Sequence, residues 1–291
     1  MEQNTHSLAI NDRSIIEITG PDAAHFLERL ITTDVEKLNV NELLPGALLS
    51  PQGKVLFDFL IGKLANGFFI DIADQLADTF AKRLKLYKLR SDVEISESIK
   101  QVTTISWEND SVQSQNDSGF TDKRFPDNEK VIRRYDKNSS LTAISEVALK
   151  QWNLLRIQYA IPESGKDFAL NDVFPHDINF DQLGAISYKK GCYVGQEIVS
   201  RMHHRGTARR RILIAEAKQN LPSSGTIEAN GKTIGELGTV IDGQALVLVR
   251  IDRAKAAMDD GIALTVNDIP LTLRIAPNMQ YDFPENISEG E

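Results

Sequence analysis

Two stretches decide the C-terminal fold: Thr226-Ile227-Glu228-Ala229-Asn230-Gly231-Lys232-Thr233-Ile234 and, shortly after, Val240-Ile241-Asp242-Gly243-Gln244-Ala245-Leu246-Val247. Each has apolar, β-branched residues on both sides of an Asn-Gly or Asp-Gly pair. Those pairs suit a two-residue hairpin loop, whose central positions need positive φ. Working outward, residues 211–217, 225–229, 232–241, 245–251, 261–266 and 269–275 are all short strand-like runs. Six such runs in about 80 residues predict a small antiparallel β-barrel. The change of character at Arg205-Gly206 sets a boundary: residues 1–204 form one region and residues 205–285 the barrel.

Upstream the pattern is mixed. Residues 14–19 read as a strand. Gly20-Pro21-Asp22 then opens a helix with Ala23, Phe26, Leu27, Leu30 and Ile31 on one face. Residues 43–49 and 55–61 form a hairpin around Ser50-Pro51-Gln52-Gly53. A strand at 68–72 leads to Asp74, a good N-cap, and to a helix bearing Leu76, Phe80, Leu84 and Tyr87. The bases Lys82, Arg83, Lys85, Lys88 and Arg90 crowd its second half and read as a solvated face. Residues 108–119 read as a loop, the charged stretch 120–140 as a surface excursion, and 145–160 as a helix ended by Pro162. The fold class expected is α+β.

The chain has 291 residues, a net charge of −8 and one cysteine. A single cysteine excludes an internal disulfide, and no run is long and apolar enough to span a bilayer. With no secretory leader visible after Met1, the expected location is cytoplasmic, with no membrane partner. The acidic balance and the lack of a basic-aromatic platform argue against direct nucleic-acid binding. No CxxC, HExxH, Walker or GxGxxG pattern is present, so no metal site is assigned.

The lone cysteine stands in Lys190-Gly191-Cys192-Tyr193-Val194-Gly195-Gln196-Glu197. Lysines precede it, glycines bracket it, and Gln196-Glu197 can open a helix. Positive neighbours and a helix N-terminus both favour thiolate over thiol. A buried structural cysteine would need none of these neighbours. Cys192 is therefore the leading catalytic candidate, as a reactive thiol.

This octapeptide resembles the K-G-C-Y-x-G-Q-E signature of the YgfZ family, folate-binding proteins related to the glycine-cleavage T protein (GcvT) and involved in maintaining iron–sulfur enzymes. The regions around Gly20-Pro21-Asp22, Leu49-Ser50-Pro51-Gln52-Gly53-Lys54, Arg156 to Pro162 and Pro175-His176-Asp177 are similar to that family as well. The resemblance implies three subdomains around a central folate cavity, the last a β-barrel. It implies tetrahydrofolate, or a derivative, as cofactor. Asp177 stands where T-protein relatives carry a pterin-binding Glu, and a carboxylate can pair two-pronged with a pterin edge. Arg156 is the second folate candidate. T proteins carry two adjacent aspartates where this chain has Phe57-Asp58, so Asp58 is the remaining candidate acid and aminomethyl transfer is disfavoured.

The function that follows is a folate-binding accessory factor for assembly or repair of iron–sulfur enzymes, working through the Cys192 thiol. Its partners would be folate and iron–sulfur client or assembly proteins, and any effect on tRNA modification would be indirect. The alternative is a tetrahydrofolate-dependent aminomethyltransferase or other one-carbon transferase. One cysteine cannot hold a conventional cluster alone, so Cys192 needs a second participant.

Overall fold

Strand β1 (His6–Thr19) is the spine of the N-terminal half. The structure is a computed structural model and describes residues 6–107, 119–136, 144–206 and 208–284. It divides into two compact units, Met1–Leu149 with Leu183–Gln196, and Lys150–Gln182 with Glu197–Glu291.

In the first unit β1 is followed by α1 (Ala23–Glu28), β2 (Glu42–Leu49), β3 (Val55–Leu64), β4 (Gly67–Ala73), α2 (Asp74–Lys88), β5 (Glu94–Ile95) and β6 (Ile99–Trp107). Strands β7 (Phe120–Asp122) and β8 (Ile132–Asp136) complete an eight-stranded sheet ordered β4-β3-β2-β7-β8-β6-β1-β5. Because β1 also pairs with β4, the pairings run round in a ring, with β5 attached to β1. Side chains alternate along each strand. On β4, Phe68, Ile70 and Ile72 join the core built with Phe26 and Leu27 of α1 and Phe80 and Leu84 of α2. The opposite face carries Phe69, with Ile15, Leu43 and Leu60, against Phe120 and Tyr135.

The same opposite face holds charge. Asp71, two residues after Phe69, is fully buried. It accepts hydrogen bonds from Arg13 Nε at 2.5 Å, the Tyr135 hydroxyl at 2.8 Å and Arg133 at 3.4 Å. Arg133 also donates to Asp122 at 3.0 Å, which takes a second guanidinium from Arg124 at 2.7 Å. Burial pushes the Asp122 carboxyl up, but the two arginines win and hold it down at about 2.

This corrects the reading of 120–140 as a surface excursion. Its described part supplies β7 and β8, and within it Asp122 and Arg133 are buried and pair with each other. Hydrophobic alternation fails as a signal where buried positions are filled by ion pairs. The loop reading of 108–119 lies, up to residue 118, outside the described residues. Helix α1 stops at Glu28 rather than reaching Ile31, because Ile31 bridges to Leu48 of β2. Asp74 is the first residue of α2 rather than its cap, and its carboxylate takes the Ser14 hydroxyl and Lys100 instead.

The second unit carries a closed barrel, β10-β11-β12-β9-β14-β13. Its strands are β9 (Arg210–Glu216), β10 (Thr226–Ala229), β11 (Lys232–Ile241), β12 (Gln244–Arg250), β13 (Leu264–Val266) and β14 (Ile269–Arg274). All six expected strands form. Asn230, Gly231 and Asp242 have φ of 50°, 70° and 54°, as the turn residues require. Between β12 and β13 the chain also makes α5 (Ile251–Asp259), which packs Ala254 and Ala257 onto the barrel core. Helix α3 (Glu146–Gln158) precedes the barrel, and α4 (Gln196–Arg205) leads into it. The architecture is mixed α+β with a C-terminal β-barrel, as expected.

Candidate functional site

Cys192 is solvent-exposed, yet the segment that presents it is fastened on both sides. Lys190 is the first fastening. Its side chain is 3% exposed and its ammonium donates to the Thr33 carbonyl at 2.6 Å and pairs with Glu28 at 3.1 Å. Burial lowers its pKa, and Glu28 and Asp34 only partly restore it. Ser187 adds to the fastening: its N–H donates to the Thr32 carbonyl at 2.9 Å. On the far side, Tyr193 is buried and Val194 packs against the α1–α2 core. Gly195 has φ of +80°, and a Cβ there would lie 2.6 Å from the Ser50 carbonyl oxygen. Glycine is required by both the conformation and the space.

The sequence reading gave the lysines an electrostatic role toward the thiol. The structure gives Lys190 a different one, since its charge is matched by Glu28. Lys189 is exposed beside it. The thiol opens onto a pocket of about 800 Å³ lined by His25, Glu28, Arg29, Asp34, Glu36, Lys37, Lys189, Lys190, Gly191 and Cys192. Charges of both signs line it, and Lys37 pairs with Asp34 at 2.6 Å. The Tyr193 hydroxyl is buried and has no hydrogen-bond partner among the described residues. A buried hydroxyl without a partner carries a desolvation cost that a bound polar group would relieve.

The remaining motif residues continue the chain. Gln196 is the first residue of α4, and Glu197 forms an exposed i,i+4 pair with Arg201 at 2.9 Å. Asp58 lies half-buried on the face of β3 that also carries Leu60, and its charge helps hold the Arg13 guanidinium protonated. It therefore belongs to the field of the buried ion-pair network in the first unit.

Asp177 and Arg156 belong to the second unit. Asp177 follows Phe174 in a short helical turn and is 3% exposed. Its Oδ2 accepts from the Phe174 N–H at 2.9 Å and from Arg210 at 3.0 Å. Arg156 is fully buried. It donates to Asp167 and Thr239 at 2.8 Å each, and to the Ile161 carbonyl at 3.0 Å. Both are internally engaged, and neither is brought beside Cys192 by its own unit. Sequence reasoning missed Arg210 and Arg211 as partners of this region. Arg211 donates to Asp181 at 2.6 Å and to the His176 carbonyl at 2.7 Å. His176 is also notable: burial chiefly, with Arg211 and His203 adding, takes its pKa down to about 4. Among the described residues, no group of three or more His, Cys, Asp or Glu is placed to hold a metal ion.

Residues 6–107 match the GCVT N-terminal domain, and residues 209–281 match the CAF17 C-terminal β-barrel domain. An iron–sulfur cluster assembly factor IBA57 homolog, mitochondrial, from Neurospora crassa is 30% identical over 230 residues, covering 70% of this chain and 52% of that protein. The protein of the same description from Dictyostelium discoideum is 26% identical over 246 residues, 70% of this chain and 60% of that one. The chain thus spans little more than half the length of these relatives. The crystal structure of glycine cleavage system aminomethyltransferase T from Bartonella henselae superposes with a TM-score of 0.68 at 14% identity, over 96% of this chain and 87% of that one.

The relatives correct the cytoplasmic expectation. They are described as mitochondrial, and that is the location they point to. A lone cysteine and no disulfide fit any reducing compartment, so those features could not tell one from another. With a GCVT N-terminal domain ahead of a CAF17 C-terminal barrel, the chain is similar over most of its length to iron–sulfur cluster assembly factors, on a fold shared with a glycine-cleavage aminomethyltransferase.

Proposed function

We propose that this protein is an iron–sulfur cluster assembly or repair factor of YgfZ-like type, in which Cys192 contributes one thiolate to a cluster held jointly with a partner protein. The observation that carries the reading is the contrast around Cys192: an exposed thiol on a loop whose neighbours are anchored. Anchoring lowers the entropy lost when the thiol engages a bulky partner-borne group. The cluster is cargo. Its other ligands come from the partner, because this chain has no second thiol. In this reading the K-G-C-Y-x-G-Q-E residues have distinct duties. Lys190 and Gly195 hold the loop, and Gln196-Glu197 start the helix that follows.

Tetrahydrofolate is the proposed cofactor, and the fold likeness is its main support. The buried Tyr193 hydroxyl, next to Cys192 in the chain and without a hydrogen-bond partner among the described residues, is one group a bound polar ligand could satisfy. Asp177 and Arg156 would have to exchange an internal partner to touch the ligand. When bound, the folate would supply a one-carbon carrier. A tetrahydrofolate-dependent one-carbon transferase is the second reading, favoured by the superposition on aminomethyltransferase T, with Asp58 as its acid.

The test is Cys192→Ser. The variant should keep its melting temperature and its tetrahydrofolate affinity by calorimetry, yet fail to support maturation of a [4Fe–4S] enzyme in a reconstituted assay. Full support by the serine variant would rule the proposal out. Steady turnover of an aminomethyl donor by the purified protein would favour the transferase instead.

A further inference from the structure

The C-terminal end of α2 exposes two leucines in a setting that calls for explanation. Leu86 is 74% exposed and Leu89 88% exposed. The buried stripe of α2 is Ala77, Phe80, Ala81 and Leu84, and at 3.6 residues per turn Leu86 falls on the opposite side. It is therefore no core residue at the margin of its stripe. Lys82, Arg83, Lys85 and Arg90 surround it, all exposed. Lys85 is paired with Glu97 at 2.5 Å, whereas Lys82, Arg83 and Arg90 form no ion pair among the described residues.

Leu89 adds a second, independent oddity. Its φ of 45° and ψ of −108° are those of the first central residue of a type II′ turn. The Ser91 N–H donates to the Lys88 carbonyl at 2.9 Å and closes that turn. Glycine is the residue suited to this conformation, and a leucine here is strained. The chain thus holds a bulky apolar side chain out in solvent at a position where glycine would relieve both strain and exposure.

We propose that this tip binds an anionic lipid surface, with Leu86 and Leu89 entering the headgroup region and Lys82, Arg83 and Arg90 meeting lipid phosphates. The cluster is small. A protein interface takes about 20–30 residues a side, far more than this cluster offers, whereas adsorption to a bilayer needs only an inserted apolar point and surrounding cations. The net charge of −8 does not oppose this strongly, since charges more than about 8 Å away are screened at physiological salt. No helix among the described residues is long and apolar enough to cross a membrane, so the attachment would be peripheral.

The experiment is co-sedimentation of the full chain with vesicles of phosphatidylcholine alone or containing about 30% phosphatidylglycerol. Binding is expected to the anionic vesicles only, and to disappear at about 0.5 M salt. Lys82→Gln with Arg83→Gln should weaken it about thirtyfold, roughly fivefold for each cation. Leu86→Ser with Leu89→Ser should weaken it several-fold with unchanged circular dichroism, while Lys232→Gln on the barrel leaves it intact. Absence of vesicle binding overturns the proposal, as does binding that both double variants retain. Binding of soluble polyglutamate through this patch without vesicle binding would assign the tip to an acidic protein partner and likewise overturn it.

Discussion

Tyr193 separates a ligand-binding role from a packing role more cleanly than Cys192 does, because its hydroxyl makes no hydrogen bond to any described residue. Tyr193→Phe should leave the free protein as stable as wild type, or about 1 kcal/mol more stable, by urea denaturation. If the hydroxyl meets folate, the same change lowers tetrahydrofolate affinity in calorimetry; unchanged affinity removes that role. Lys190→Met is expected to behave oppositely. It leaves Glu28 without its ammonium and the Thr33 carbonyl without a donor, at a cost of about 2–3 kcal/mol, with faster amide exchange across residues 187–195. Gly195→Ala should destabilise to a similar degree, since the added methyl meets backbone rather than a flexible side chain. The residue types around Cys192 were legible in the sequence because they are a poor choice for a buried cysteine. The role of Lys190 was not, since its partners sit far away in the chain and only the fold brings them together.

Elements were legible wherever one physical signal acted alone. The barrel strands were, because Asn-Gly and Asp-Gly turns punctuate them and their buried positions are aliphatic. Strands β7 and β8 were not, because Asp122 and Arg133 occupy buried positions there and read as surface charge. That network is expected to be a strong determinant of the first unit. Asp71→Asn leaves Arg13 and Arg133 facing a neutral amide and should cost about 3–5 kcal/mol, measured as a drop in denaturation midpoint. Helix α2 offers the reverse experiment. Leu89→Gly relieves a positive φ at the end of the helix and should raise stability by about 1 kcal/mol. A stabilising change that also weakens vesicle binding would show strain retained for binding rather than for folding.

At the scale of the molecule, residues 150–182 belong with the barrel although they lie well ahead of it in the chain. Arg210 pairs with Asp172 and Asp177, Arg211 with Asp181, and the Asn179 amide donates to the Ile212 carbonyl. A fragment of residues 205–285 has the strands but leaves these arginines without their acids. It is expected to melt well below a fragment that includes residues 150–182, by circular dichroism. The same region should dominate acid sensitivity. His176 titrates near 4 in the folded protein against about 6.5 unfolded, so the unfolded chain takes up the proton first as pH falls. The stability from keeping it neutral is complete above pH 6.5 and is lost on the way down through pH 4, on the order of 3 kcal/mol. His176→Gln should flatten that limb of the urea midpoint against pH. The chain passes between its units at residues 149, 182 and 196, and that has a consequence for synthesis. A nascent chain leaving the ribosome cannot finish the first unit when residue 149 emerges. It must wait for residues 183–196, so the cysteine loop is the last piece to be set in place, after the start of the second unit is already outside the tunnel.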